Sequence, residues 1–444
     1  MPNPQLRTLA RLVLPRLGCL FSAAALVAAL ANPAAAENWP QWRGPHGDST
    51  SAEQDLPLAW SERRGLAWKV DLPEWGSSTP AVWEDAIFVT TQVDDQLLLM
   101  RLARDKGAVV WKRDVGRAET PRESPSRSVQ KFHELHNLAS PSPVTDGEVV
   151  VVHFGNGDLA AFDFDGEQLW KHNLQDEYGK YSIWWGHANS PVLYENLVIS
   201  ACMQDSLAGV AEPLAPSYLV AHDKRTGKEK WKTARMTGAD AEQCDAYTTP
   251  VLYQAAGRWE LAVMGGNQLD AYDPQTGEQL WYLPGTIGGR TITGPTAGLG
   301  MVFATEGMRK DLLAVKTGGH GKLPHRSVAW KDGDATPDTC CPVLWGDWLF
   351  TVNDDGVAKC YDAQTGHQQW KKRLMGKYKA SPLAAEGRIY FLNMEGLATV
   401  VAASDRYDKL AENQLDDATT ASPAVAGGRI YLRGRKHLYA IEKK

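Results

Sequence analysis

A chain of 444 residues, 43% hydrophobic and 23% charged, is neither wholly disordered nor collagen-like. Its formal charge of −6, with acids and bases interspersed, lacks the basic footprint of a nucleic-acid binder. Against that ordinary background stand 40 Gly and 17 Trp beside only 9 Phe, and their positions carry the fold.

Residues 1–36 read as a cleaved secretory signal peptide. Arg7, Arg11 and Arg16 form a basic n-region, Leu17 to Leu30 is an apolar run, and Ala34-Ala35-Ala36 offers a cleavage site before Glu37. The run is short for a spanning helix, and an uncleaved anchor is its other reading. Cys19 precedes most of the apolar run, so lipid attachment is rejected. No later stretch is long and apolar enough to cross a bilayer. The expected location is therefore the periplasm or the medium, with residues 37–57 as an N-terminal extension.

From residue 58 onward a repeat takes over. A small residue and a proline precede two β-rich runs joined by a polar turn, as in SPVTDGEVVVVHF, SPVLYENLVISA and SPLAAEGRIYFLN. The prolines are Pro80, Pro143, Pro191, Pro250, Pro295, Pro342, Pro382 and Pro423. Their shorter spacings, 40 to 48 residues, match the period of a four-stranded propeller blade. A second motif closes most repeats: AHDKRTGKEKW, AYDPQTGEQLW and CYDAQTGHQQW, with a shorter AFDFDGEQLW. Asp and Thr suit a turn, Gly supplies positive φ, and Trp falls on the next strand, four residues after the Gly. A wide indole there covers the joint between sheets while its N–H finds a carbonyl. Trp68, Trp111, Trp170, Trp231, Trp281, Trp330 and Trp370 are assigned this structural role. Repeat 5 is looser before Trp330, and repeat 7 has no closing Trp.

The ends count out the closure. The eighth repeat stops at HLYAIEKK, one strand short, while a spare strand, LAWKVDL around Trp68, precedes the first repeat. Residues 58–444 are thus predicted to form an all-β, eight-bladed β-propeller whose N-terminal strand closes the last blade.

The A-x-D-x-x-T-G-x-x-x-W repeat resembles that of the pyrroloquinoline quinone enzyme repeat family, the quinoprotein-like propellers. The opening NWPQWRGPHGDS is similar to leaders of exported planctomycete-type members. The resemblance implies one of two activities. One branch comprises pyrroloquinoline quinone (PQQ)- and calcium-dependent alcohol dehydrogenases, which need a calcium held by acidic and amide side chains, a catalytic Asp, an aromatic floor and usually a vicinal disulfide. The other is the periplasmic propeller lipoprotein of the outer-membrane β-barrel assembly machinery.

Cys340-Cys341 invites the first reading, yet the pair falls in repeat 6, whereas the family's pair sits in an early blade. Calcium ligands have no matching motifs, and the family's long insertions are missing. Beyond Cys19 of the leader, five of the six cysteines remain, Cys202, Cys244, Cys340, Cys341 and Cys360, an odd number too sparse for a disulfide scaffold and without zinc spacing. No nucleophile elbow or phosphate loop occurs. The expectation is a non-catalytic binding or scaffold module of the cell envelope, monomeric, with no metal and no cofactor. PQQ with calcium in a dehydrogenase is the alternative.

Loop lengths locate the working face. Residues 116–137 carry Arg117, Arg122, Arg127, Lys131, His133 and His136; residues 175–189 carry Tyr178, Tyr181, Trp184, Trp185 and His187. With residues 203–217, these additions fall on one face of blades 2 and 3, where rigid rings place their binding loops. His133, His136, Trp184, Trp185 and His187 are the candidate contacts for a protein or glycan partner. The competing reading has Trp184 and Trp185 plugging the central channel.

Overall fold

Each proline-led unit folds as an antiparallel meander, because alternating apolar residues and tight polar turns leave hairpins as the only local pairing. The computed structural model describes residues 37–118, 133–204 and 216–443. Eight sheets follow in chain order: 81–117, 144–173, 192–234, 251–284, 296–332, 343–373, 383–414 and 424–442 (blades 1 to 8). Together they form an eight-bladed β-propeller, and the one α-helix among the described residues is Leu174–Tyr178. The fourth strand of blade 8 is Leu66–Asp71, antiparallel to His437–Glu442, with Trp68 opposite Ala440.

The T-G-x-x-x-W motif acts across blades. In the turn Asp223 to Gly227, the Asp223 carboxylate accepts the N–H groups of Arg225 and Thr226. Gly227 then takes φ 72°. A Cβ on Gly227 would lie 2.8 Å from the ring of Trp170, the closing Trp of the previous blade. That indole donates its N–H to the Lys224 carbonyl of the same turn at 2.9 Å. Trp68, Trp111, Trp231, Trp330 and Trp370 make the equivalent bond into the next blade, to Arg104, Phe164, Pro274, Ala363 and Ser404. Glycine is therefore required twice: for its backbone angle and for the ring resting on it.

Two seams depart from this rule. In the looser fifth repeat, Gly321–Lys322 leaves blade 5 and adds a parallel strand outside blade 4. Trp281 is thereby fully buried, and its N–H turns to the buried carboxylate of Glu260 at 2.8 Å. In repeat 7, which lacks the closing Trp, the ring arrives from the N-terminal segment. Trp60 stacks on Tyr390 at 6.3 Å, while its backbone N–H donates to Asn413 Oδ1 and Asn413 Nδ2 donates to the Leu58 carbonyl.

Truncating Trp231, Trp281 or Trp370 to Ala is expected to cost about 3–5 kcal/mol, the range for a buried large aromatic. Trp281→Ala should be the worst, because it also removes one of the donors to the buried Glu260 carboxylate. Urea unfolding checks this. Wild-type midpoints in all three variants would mean the joints do not hold the ring.

Candidate functional site

Residues 37–51, given no role by their sequence, close the channel from the face opposite the long loops. Trp39 pairs with Val82 of blade 1, the Pro40 carbonyl accepts from Thr145 of blade 2, and Thr50–Ser51 runs parallel to the inner strand of blade 7. Gly44 at φ 81° turns the strap, packed where a Cβ would meet the Trp39 ring. The tip drives Arg43 into the axis, almost fully buried. Its guanidinium donates to the carbonyls of Pro295 (2.7 Å) and Pro342 (2.9 Å) and the hydroxyls of Ser49 and Thr296. The Arg43 guanidinium lies 5.6 Å from the centre of the Trp42 ring, and Trp42 lines a funnel of about 380 Å³.

The funnel wall is written in the repeat. The small residue before each proline bonds to its neighbour: Thr79 N–H donates to Ser142 Oγ, Ser142 to Ser190, and Ser190 to Thr249. On the other side Gly294 donates to Cys341 Sγ, Cys341 to Ser381, and Ser381 to Ser422. Thr79 Oγ1 closes the circuit onto the Ser422 carbonyl. The belt of side-chain acceptors breaks only at Gly294, where a Cβ would stand 3.3 Å from the Trp42 ring. Because extended backbone repeats every two residues, the residue two earlier in each blade forms an upper tier. There Ser77, Ser140 and Ala188 face the bulkier Tyr247, Ile292 and Lys379.

Charges ring the mouth in compensated pairs. Arg290 Nη2 lies 3.4 Å from Asp338, and Lys379 Nζ lies 2.5 Å from Asp354. Burial, and then the neighbouring Asp354, push the Asp338 carboxyl up from its ordinary range. The second oxygen of Asp338 is buried without a hydrogen-bond partner. His133 is held below the usual imidazole value by burial and by Lys379.

The loop residues singled out by sequence divide between this mouth and the interior. His133, His136 and Trp185 line the funnel, and His133 meets Trp185 edge-on at 5.7 Å. Trp185 is pinned by its backbone N–H to the Tyr247 hydroxyl and by its indole N–H to Glu242, both at 3.2 Å. Trp184 stands beside it, half-buried, its backbone N–H on Asp245. His187 is fully buried instead, stacked on Tyr181 and 3.3 Å from the His153 ring nitrogen, so it presents nothing to a partner. His136, with Nδ1 on Ser140 Oγ at 2.6 Å, is pushed by burial to about 3. Arg122, Arg127 and Lys131, most of the 203–217 loop and the whole leader lie outside the described residues.

Sequence reasoning missed Trp42, Arg290, Asp338 and Lys379. Aligning the eight prolines and reading two residues before each small residue would have found Lys379 and Tyr247. Trp42 had no such signal.

The dehydrogenase reading makes a test of this donor set. Asp338 is the only carboxylate in the funnel lining among the described residues, and it is engaged by Arg290. Among the described residues no three His, Cys, Asp or Glu converge as metal ligands. The two thiols diverge: Cys341 joins the belt, while Cys340 packs in the core of blades 6 and 7, unbonded to it. These residues do not fit a quinone–calcium pair.

The family of the outer membrane protein assembly factor BamB matches residues 51–211 and 322–444. The chain belongs to this family. BamB from Moraxella catarrhalis superposes with a TM-score of 0.55 at 14% identity, over 84% of this chain and 98% of that one. Quinohemoprotein alcohol dehydrogenase from Comamonas testosteroni gives 0.63 at 13%, over 92% and 81%. The computationally designed Ika8 protein gives 0.54 at 11%, over 85% and 100%. At such identities the likeness is one of fold. Curated proteins provide no sequence match. Membership of the BamB family makes the chain a propeller of the binding and scaffold kind. No helix among the described residues is long and apolar enough to cross a membrane.

Proposed function

We propose that this chain is an exported, non-catalytic propeller that scaffolds a protein partner in the cell envelope, through the funnel face above blades 2 and 3. The observation carrying this reading is where the extra chain goes. The added connections leave from Ala118 and Gln204 at the same end of their blades as the 175–189 loop. That loop is braced by its surroundings: Ser182 N–H donates to Gln204, and Trp184 N–H donates to Asp245. Lengthened loops on a rigid ring that shares its fold with an enzyme and a designed protein are where function resides. Family membership favours a protein as the occupant. The dehydrogenase alternative gains nothing from a funnel with one engaged carboxylate.

The test replaces Trp184 and Trp185 together with Ala and leaves His187 alone, since a core cavity would confuse the result. In crosslinking from envelope extracts, wild type should capture a discrete protein that the double variant loses, with melting temperature held. Identical capture by both proteins would remove this face from the reading.

A further inference from the structure

The funnel itself carries chemistry that a protein-docking face does not need. Its lining includes the Trp42 indole, delivered by a separate strap to the gap that Gly294 leaves in the belt, with the Arg43 guanidinium over the ring. Arg43, which positions Trp42, has φ 65°, a backbone strain retained at the one place where the strap enters the axis. The walls are two tiers of mostly small hydroxyl residues, each able to donate and accept. Among the described residues the two cations of the mouth, Arg290 and Lys379, are each matched by an acid. One buried carboxylate oxygen, on Asp338, has no hydrogen-bond partner among the described residues. About 380 Å³ lies at the small end of the usual ligand-pocket range, roughly 300–1,000 Å³.

An aromatic platform under a neutral, hydroxyl-rich cup with one waiting acceptor suits a guest that is flat and apolar on one face and hydroxylated around its edge. We propose that the axial funnel is a saccharide site that takes one pyranose unit, its C–H face stacked on Trp42 and its hydroxyls bonded by Asp338, Arg290 and the upper tier. Apolar contact with an indole face and directional bonds to a carboxylate and a guanidinium divide the recognition between them. The raised proton affinity of Asp338 adds a further capacity, since a protonated carboxyl donates as well as accepts. This site goes beyond the scaffold reading and stands or falls without it: it concerns free sugar and purified protein, whereas the scaffold reading concerns a captured protein.

The experiment titrates the purified chain with glucose, galactose, N-acetylglucosamine and glucuronate, following tryptophan emission and ligand-detected NMR. Acetate and inorganic phosphate serve as anion probes. Saturable binding of at least one neutral sugar is expected, weakened about tenfold or more by Asp338→Asn and by Trp42→Phe. Melting curves of both variants guard against loss of fold. Asp338→Asn keeps the shape of the cup, so it remains informative should Trp42→Phe loosen the strap. Three results would overturn the assignment: no saturation by any of the sugars, wild-type affinity in the Asp338→Asn variant, or binding of acetate or phosphate in place of the sugars.

Discussion

Deleting residues 58–72 should leave no cooperatively folded protein. The segment carries Leu66–Asp71, which hydrogen-bonds along His437–Glu442 as the outer strand of blade 8. Its loss uncovers an edge strand that other chains can pair with. Trp68 goes with it, and with Trp68 the bond to Arg104 that joins blade 8 to blade 1. Trp60 goes too, leaving Tyr390 bare on blade 7, the one blade without a closing Trp of its own. Each aromatic alone is a loss of about 3–5 kcal/mol. A whole domain holds only about 5–15 kcal/mol, so two seams lost together, about 6–10 kcal/mol, take most of what the ring has, and the strand's ladder is lost with them. Calorimetry and limited proteolysis check this. A cooperative melt within a few degrees of wild type would mean that the ring closes without its N-terminal strand. Trp68→Ala should instead fold and melt early, separating the seam from the strand.

The ring was legible because a propeller is local. Each blade pairs strands that are neighbours in sequence, so prolines, turn glycines and tryptophans recur in register, and a missing last strand can be matched to a spare first one. What escaped is what joins distant parts of the chain once. Arg43 finds its carbonyls at Pro295 and Pro342, and Trp60 finds Tyr390, with no periodicity to announce either contact. The strap was legible only as a leader-like string. His187 was read as a surface residue because it lies in a long loop rich in aromatics. That loop folds inward and seats the ring against Tyr181, and burial of this kind depends on tertiary packing. The funnel falls between these cases. Its hydroxyl belt repeats with the prolines, but its floor does not.

Acid should unfold this protein from an unusually high pH. His153 and His187 lie in the interior beside Tyr181, their rings 4.3 Å apart between centroids, while His136 lines the funnel. Burial holds His136 and His153 down to about 3, with the neighbouring imidazoles adding to the shift, and holds His187 well below its ordinary value. Tyr181, Tyr218 and Cys202 around them are pushed up by burial and stay neutral. The sign follows directly. Unfolded histidines take up protons near pH 6.5 and the folded ones do not, so the unfolded state binds more protons and stability falls as pH falls. The loss begins near pH 6.5, reaches full slope below about pH 5.5 and continues toward pH 3. At full slope each histidine shifts the folding equilibrium about tenfold per pH unit, hence about a thousandfold for three. Most carboxylates titrate below that window, which makes the upper part of it specific to imidazole. Urea midpoints between pH 7 and 5 give the measurement. His222, held by burial down to about 4, adds a fourth such ring, so His153→Gln, which keeps a polar group for Tyr181, should remove about a quarter of the slope. A flat profile down to pH 5, or an unchanged slope in that variant, would mean these rings take protons without unfolding the blades around them.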